Sequence, residues 1–79
     1  MIALDHQSPI RKWRESHNLT VVQLATASNI PGQEVIQVEE GKTGIPGELQ
    51  DYLTGQGENV SWMASEQSAF IVQQKRLWQ

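Results

Sequence analysis

Two histidines, His6 and His17, are the residues whose chemistry would first suggest a metal or acid–base site. They lie eleven positions apart, the chain has no cysteine, and no nearby carboxylate in helical register completes a shared ligand set. Nothing indicates a convergent Ser-His-Asp arrangement. The glycines from Gly41 to Gly57 lack the Lys-Ser/Thr ending of a phosphate loop and are typical of turns. We therefore expect no enzyme activity, no metal and no cofactor.

Length and composition restrict the chain to one small domain. Its 79 residues are 38% hydrophobic, and a domain of this size buries only ~60% of the surface that its unfolded chain exposes. Without disulfides, stability must come from a local core, which favours packed helices. Six Lys/Arg against nine Asp/Glu give a net charge of −3, which argues against a strongly basic nucleic-acid binder held by bulk charge. No signal peptide or membrane helix is indicated, so we expect a cytoplasmic protein without a membrane partner.

Three short helices are predicted in the first half of the chain. Each begins at a capping or proline signal, in order Ser8-Pro9, the capping box of Thr20 with Gln23, and Ile30-Pro31-Gly32. The first and third end at residues that favour a left-handed stop, Asn18 and Gly41, and the second ends near Ser28-Asn29. The apolar residues between these signals repeat at helical spacing.

Two further helices and a tail are predicted in the second half. Pro46-Gly47 begins the fourth helix, and Val60 lies near the start of the fifth. In the tail, a β-favouring run, 70–72, precedes a helix-favouring run, 73–77. The repeats at seven residues favour a helix; they join Phe70 with Leu77 and Ile71 with Trp78.

Residues 10–63 match the pattern of a known domain. The most specific part is Leu24-Ala25, followed at fixed distance by Val35, Val38, Glu39, Gly41 and Lys42. The other matches are 10–14, Leu19-Thr20, Asn29-Ile30, Pro46, Leu49 and 57–62. On these residues the stretch resembles the phage-repressor/Cro-type (XRE family) helix-turn-helix DNA-binding domain. The resemblance implies an all-α, compact bundle of about five short helices that contains a helix-turn-helix.

The resemblance assigns structural roles to individual side chains. Ala25 would lie where two helices cross closely, and Asn29 would take a turn position that needs a positive φ. Arg14 would form a charge-assisted hydrogen bond with Glu39, which we interpret as fixing helix orientation. Trp62 would belong to the core near the start of the fifth helix.

The resemblance also implies a surface that contacts DNA. Base edges would be met by one side of the third helix, through Gln33, Glu34, Ile36 and Gln37. The DNA backbone would be contacted by Thr20, Gly32, Lys42 and Thr43. Without the resemblance, the third helix would be interpreted as having a polar, solvated face.

Some positions depart from the family pattern and predict weak binding by a monomer. Val21 lies where the family often has a glutamine that contacts phosphate, and residues 44–47 lie where the family commonly has a basic loop. Residues 10–63 carry four basic side chains, Arg11, Lys12, Arg14 and Lys42, against seven acidic ones. Because non-specific affinity scales with the number of phosphate contacts, we expect a shallow salt dependence.

The sequence therefore predicts an N-terminal arm (1–9), the helix-turn-helix domain (10–63) and a C-terminal extension (64–79). The expected function is sequence-specific binding of double-stranded DNA by a transcriptional regulator acting as a homodimer. The alternative is a protein-interaction adaptor on the same fold that does not bind DNA. Four apolar residues of the extension either pack back on the domain or contact a second subunit or partner: Phe70, Ile71, Leu77 and Trp78.

Overall fold

The computed structural model describes residues 7–77, which form five α-helices and no strand. The helices are α1 (Pro9–Ser16), α2 (Val21–Ser28), α3 (Gly32–Glu39), α4 (Gly47–Gly55) and α5 (Val60–Leu77). The predicted all-α class is confirmed. Within the described residues, no helix combines the length and the apolar character needed to cross a membrane.

Local side-chain contacts determine where the first two helices begin. The Ser8 hydroxyl accepts a hydrogen bond from the backbone N–H of Ile10 at 3.1 Å. Thr20 and Gln23 form the predicted capping box: each side chain accepts from the other residue's backbone N–H, at 3.1 and 2.8 Å. These contacts satisfy backbone donors that the first turn of a helix leaves without partners.

Residues with a positive φ follow the ends of the first three helices. Asn18 and Asn29 adopt φ values of 56° and 61°, and Gly41 adopts 77°. Asparagine and glycine tolerate this left-handed conformation better than other residues, so the chain can reverse immediately after each helix. The predicted positive φ of Asn29 is confirmed.

One apolar core holds the five helices together. α2 packs against α3 and α4, α1 packs against α3 and α5, and α4 also contacts α5. Ala25, the residue predicted to lie at a close helix crossing, is buried. The core residues are Ile10, Trp13, Leu24, Ala25, Ile30, Val35, Val38, Ile45, Leu49, Leu53 and Met63.

α5 continues without a break through residue 64, where the extension was expected to begin. Phe70 is 6% exposed, and a Cβ atom on Gly41 would approach its ring within 2.9 Å. Of the two alternatives for Phe70, the structure therefore shows packing back on the domain, and the partner contact predicted for this residue is not the one observed. Ile71 is half-buried, whereas the Leu77 side chain and Trp78 lie outside the part of the chain that can be described.

The prediction that Trp62 belongs to the core is wrong. Its side chain is 64% exposed, while its neighbour Met63 is buried. The buried positions of α5, Met63, Gln67 and Phe70, recur every three or four residues. Residue 62 is rotated about 100° from Met63, away from that inward side.

Candidate nucleic-acid interface

α2 and α3 are joined by a short turn of three residues, 29–31. Asn29 turns the chain, and the Ile30 N–H then donates to the Ala25 carbonyl at 3.0 Å. The Ile30 side chain is buried in the core. Since a backbone hydrogen bond and a buried side chain both fix this turn, α3 has a defined orientation against α2.

The four predicted base-contacting residues lie on the side of α3 that faces away from the core. Val35 and Val38 are fully buried and attach α3 to the domain. Gln33 and Ile36 are exposed, Ile36 by 40%, while Glu34 and Gln37 are half-buried. Among residues 7–77, the Gln33, Glu34 and Gln37 side chains have no hydrogen-bond or ion-pair partner. This outward surface, defined by residues 33, 34, 36 and 37, thus has polar groups that the fold does not use.

The predicted backbone-contacting residues fall into two groups at opposite ends of α3. Thr20 caps α2, and Gly32 begins α3. A Cβ atom on Gly32 would lie 3.9 Å from a methyl carbon of Val21, so the two helix N-termini are adjacent. Helix N-termini carry free N–H groups and partial positive charge, which favour anions.

Lys42 and Thr43 form the second group, just after α3. Both are exposed. The Lys42 ammonium lies 3.2 Å from a Glu40 carboxylate oxygen, and the Lys42 backbone N–H donates to the Gln37 carbonyl at 3.0 Å. The Thr43 carbonyl accepts a hydrogen bond from Gln67 at 3.0 Å. The backbone of this loop is therefore held in place while its side chains reach solvent.

Arg14 and Glu39 form the predicted pair, which connects α1 to the last turn of α3. Arg14 Nε and Nη2 donate to the two Glu39 carboxylate oxygens at 2.6 and 3.1 Å, and Nη1 donates to the Leu19 carbonyl at 2.9 Å. The two side chains are only 14% and 10% exposed. The hydrogen bond with Glu39 raises the pKa of Arg14, although burial acts in the opposite direction. This geometry is that of a structural pair.

The cations of the domain are largely engaged with acidic side chains. Arg11 pairs with Glu15 at 3.1 Å, in addition to the Arg14 and Lys42 pairs. Lys75 and Arg76 lie in the last turn of α5, where positive charge is favourable. The charge available for phosphate contacts is therefore small, in agreement with the net charge of −3.

His17 is used within the fold. Its ring stacks on the Trp13 indole with centroids 4.1 Å apart, and Nδ1 lies 2.9 Å from the Trp13 carbonyl. Residues 7–77 contain no group of three or more His, Cys, Asp or Glu side chains that could hold a metal ion. His6 falls outside the described range.

Gln67 is a buried side chain that contacts both α3 and the loop after it, and no sequence motif had pointed to it. Its Nε2 donates to the carbonyls of Val38 and Thr43. Position 67 falls between Met63 and Phe70 at helical spacing. A glutamine in phase with apolar residues was the signal that could have identified it, because a buried amide requires partners.

No family model, curated protein or solved structure matches the chain significantly.

Proposed function

We propose that the protein is a transcriptional regulator that binds double-stranded DNA, with α2 and α3 acting as a helix-turn-helix. The proposal rests on one observation: the polar side chains on the outward surface of α3 have no hydrogen-bond or ion-pair partner among the described residues. An α-helix with side chains is about 10–12 Å wide and fits the major groove, which is about 12 Å wide. The resemblance to phage-repressor/Cro-type domains supports the same function, and a cytoplasmic location would suit it.

Two glutamines are the proposed main base-reading residues. The amides of Gln33 and Gln37 can donate to and accept from adenine N6 and N7 at once, which discriminates by about 1–3 kcal/mol per contact. Ile36 would contact a thymine methyl group, and Glu34 would accept from cytosine N4. These contacts would supply specificity rather than bulk affinity.

Backbone contacts would come from both ends of α3. Thr20 and Gly32 would present helix N-termini to one phosphate group, and Lys42 with Thr43 would contact another. Lys42 would exchange Glu40 for phosphate at little cost, because exposed ion pairs contribute only about 0–1 kcal/mol. With so few phosphate contacts we expect weak binding by one protomer, which a homodimer on two half-sites would strengthen.

The proposal is tested by titrating fluorescent duplexes, enriched from a random pool, at about 50 and 150 mM salt, since phosphate contacts weaken as salt rises. We expect retention that decreases with salt. Gln33→Ala and Gln37→Ala should each reduce affinity about 5- to 150-fold, the equivalent of about 1–3 kcal/mol, with unchanged thermal stability. Gln73→Ala, on the exposed side of α5, is the matched control and should bind as the unmodified protein does. Equal affinity for all variants would show that Gln33 and Gln37 of α3 do not contact the bases.

A second candidate is a protein-interaction adaptor on the same fold that does not bind DNA. Exposed apolar side chains favour it, above all Val22 at 70% and Trp62 at 64% exposure. The same titration separates the two functions. Absence of retention at low salt, even at high protein concentration, would favour the adaptor.

A further inference from the structure

Gln67 is a buried polar side chain whose hydrogen-bonding groups are all used. It lies on α5 and is 1% exposed. Its Nε2 donates to the Val38 carbonyl at 2.8 Å and to the Thr43 carbonyl at 3.0 Å. Its Oε1 accepts from the Ser8 hydroxyl at 2.8 Å. Both amide hydrogens and the amide oxygen therefore have partners.

The partners also fix the orientation of the amide. If it were reversed, Oε1 would face the two carbonyl oxygens of Val38 and Thr43, and both contacts would become repulsive. A fully satisfied buried network of this kind specifies one arrangement of the groups that it joins. Here it joins the start of α1, the end of α3 and the loop that follows α3.

The segment between Val38 and Thr43 is also packed tightly against α5. A Cβ atom on Gly41 would lie 2.6 Å from Gln74 Cγ and 2.9 Å from the Phe70 ring. Gly41 therefore lets the backbone approach α5 closely. From this approach the chain continues to Lys42 and Thr43, whose side chains are exposed.

We infer that Gln67 is a positioning residue that holds Lys42 and Thr43 where they contact the DNA backbone, an inference that rests on the proposed function. An apolar side chain at position 67 would fill the same space but would leave the Thr43 carbonyl without this donor. The loop would then sample other positions, and binding would have to order it again, which costs affinity. Gln67 would thus strengthen DNA binding without contacting the DNA itself.

The test uses the full chain with Gln67→Met, which keeps the approximate side-chain length and removes all three hydrogen bonds. Affinity for an enriched duplex is measured as a function of salt, at a temperature where circular dichroism shows each variant folded. We expect Gln67→Met to weaken binding and to reduce the slope of log K against log salt by about 0.9, the equivalent of one phosphate contact. Gln73→Met, the same change at an exposed position of α5, should leave affinity and slope unchanged.

A double variant separates positioning from general stability. Lys42→Gln should reduce the slope by itself, and Gln67→Met should reduce it no further in that background, because the contact is already lost. A folded Gln67→Met protein with the affinity and slope of the unmodified chain would overturn the inference. If Gln67→Met does not fold, Gln67→Asn, which shortens the same amide by one methylene, is expected to give the same slope change and is read by the same criteria.

The free protein gives a readout that does not depend on DNA. Amide hydrogen exchange of residues 41–45 should be faster in Gln67→Met than in Gln73→Met, since the loop loses a contact that orders it. Unchanged exchange there would contradict the inference even if the unmodified protein binds DNA. Failure of the unmodified protein to bind any duplex at low salt would instead reject the proposed function, and the DNA role of Gln67 with it.

Discussion

The Arg14–Glu39 pair joins α1 to the last turn of α3 and fixes the orientation of α3. The guanidinium binds both carboxylate oxygens and also the Leu19 carbonyl. Three of its donors are thus satisfied in a largely buried place, where an unpaired charge would be costly. The pair lies at the C-terminal end of α3, so it stabilises the helix without occupying its outward surface.

Glu39→Gln should lower the free energy of unfolding by about 2 kcal/mol, because Arg14 would keep its charge and lose its charged partner. Urea denaturation measures the change. Glu40→Gln is the matched control: it removes the exposed pair with Lys42 and should cost about 0.5 kcal/mol or less. Equal losses in the two variants would show that burial does not strengthen the Arg14 pair. Any DNA sequence preference should survive Glu39→Gln.

The contacts of individual residues could be predicted where the partner is near in sequence or where the resemblance indicated the partner. Thr20 and Gln23 of the capping box are only three positions apart, and the left-handed conformation of Asn29 depends on the residue itself. The Arg14–Glu39 pair spans 25 residues and followed from the resemblance alone. Gln67 was missed because its hydrogen-bond partners lie 24 to 59 positions away, and no local sequence pattern indicates them.

Gly41, two residues after the end of α3, brings the backbone close against α5. This position needs a positive φ and also lacks room for a side chain. The helix starts and stops of the first half followed from local signals in the sequence. The inward side of α5 was predicted wrongly at Trp62, because the resemblance assigned this residue to the core. Met63 is the residue in helical phase with the buried Gln67 and Phe70.

Gly41→Ala should destabilise the protein more than Gly57→Ala. Both glycines have a positive φ, of 77° and 84°, so each alanine costs about 1–2 kcal/mol in backbone strain. A Cβ atom on Gly57 would meet nothing within 4 Å among the described residues, whereas one on Gly41 would collide with Phe70 and Gln74. The collision should add about 1–3 kcal/mol. Thermal denaturation of both variants measures the difference, and equal melting temperatures would contradict the close approach.

α5 belongs to the domain over most of its length. Residues 63, 67 and 70 are buried on its inner side, while Trp62 and Val72 face solvent. The predicted boundary at residue 63 followed the extent of the resemblance, whereas packing extends at least to Phe70.

Phe70→Ala should cost about 3–5 kcal/mol, since it removes a buried ring, and that is a large part of the stability of a small domain. Val72→Ala, two positions away on the same helix and 50% exposed, should change the free energy of unfolding by less than about 0.5 kcal/mol. Urea denaturation followed by circular dichroism measures both. A small effect of Phe70→Ala on the free energy of unfolding would favour the alternative in which Phe70 contacts a partner.

An NMR titration is the sharpest test of whether the outward surface of α3 binds DNA. Backbone amide shifts of the full chain are followed while an enriched short duplex is added at low salt. We expect the largest changes at residues 33–37 and in the loop at 42–43, with Val72 on α5 unaffected. Changes confined to the exposed side of α5, or no change at saturating duplex, would contradict this expectation.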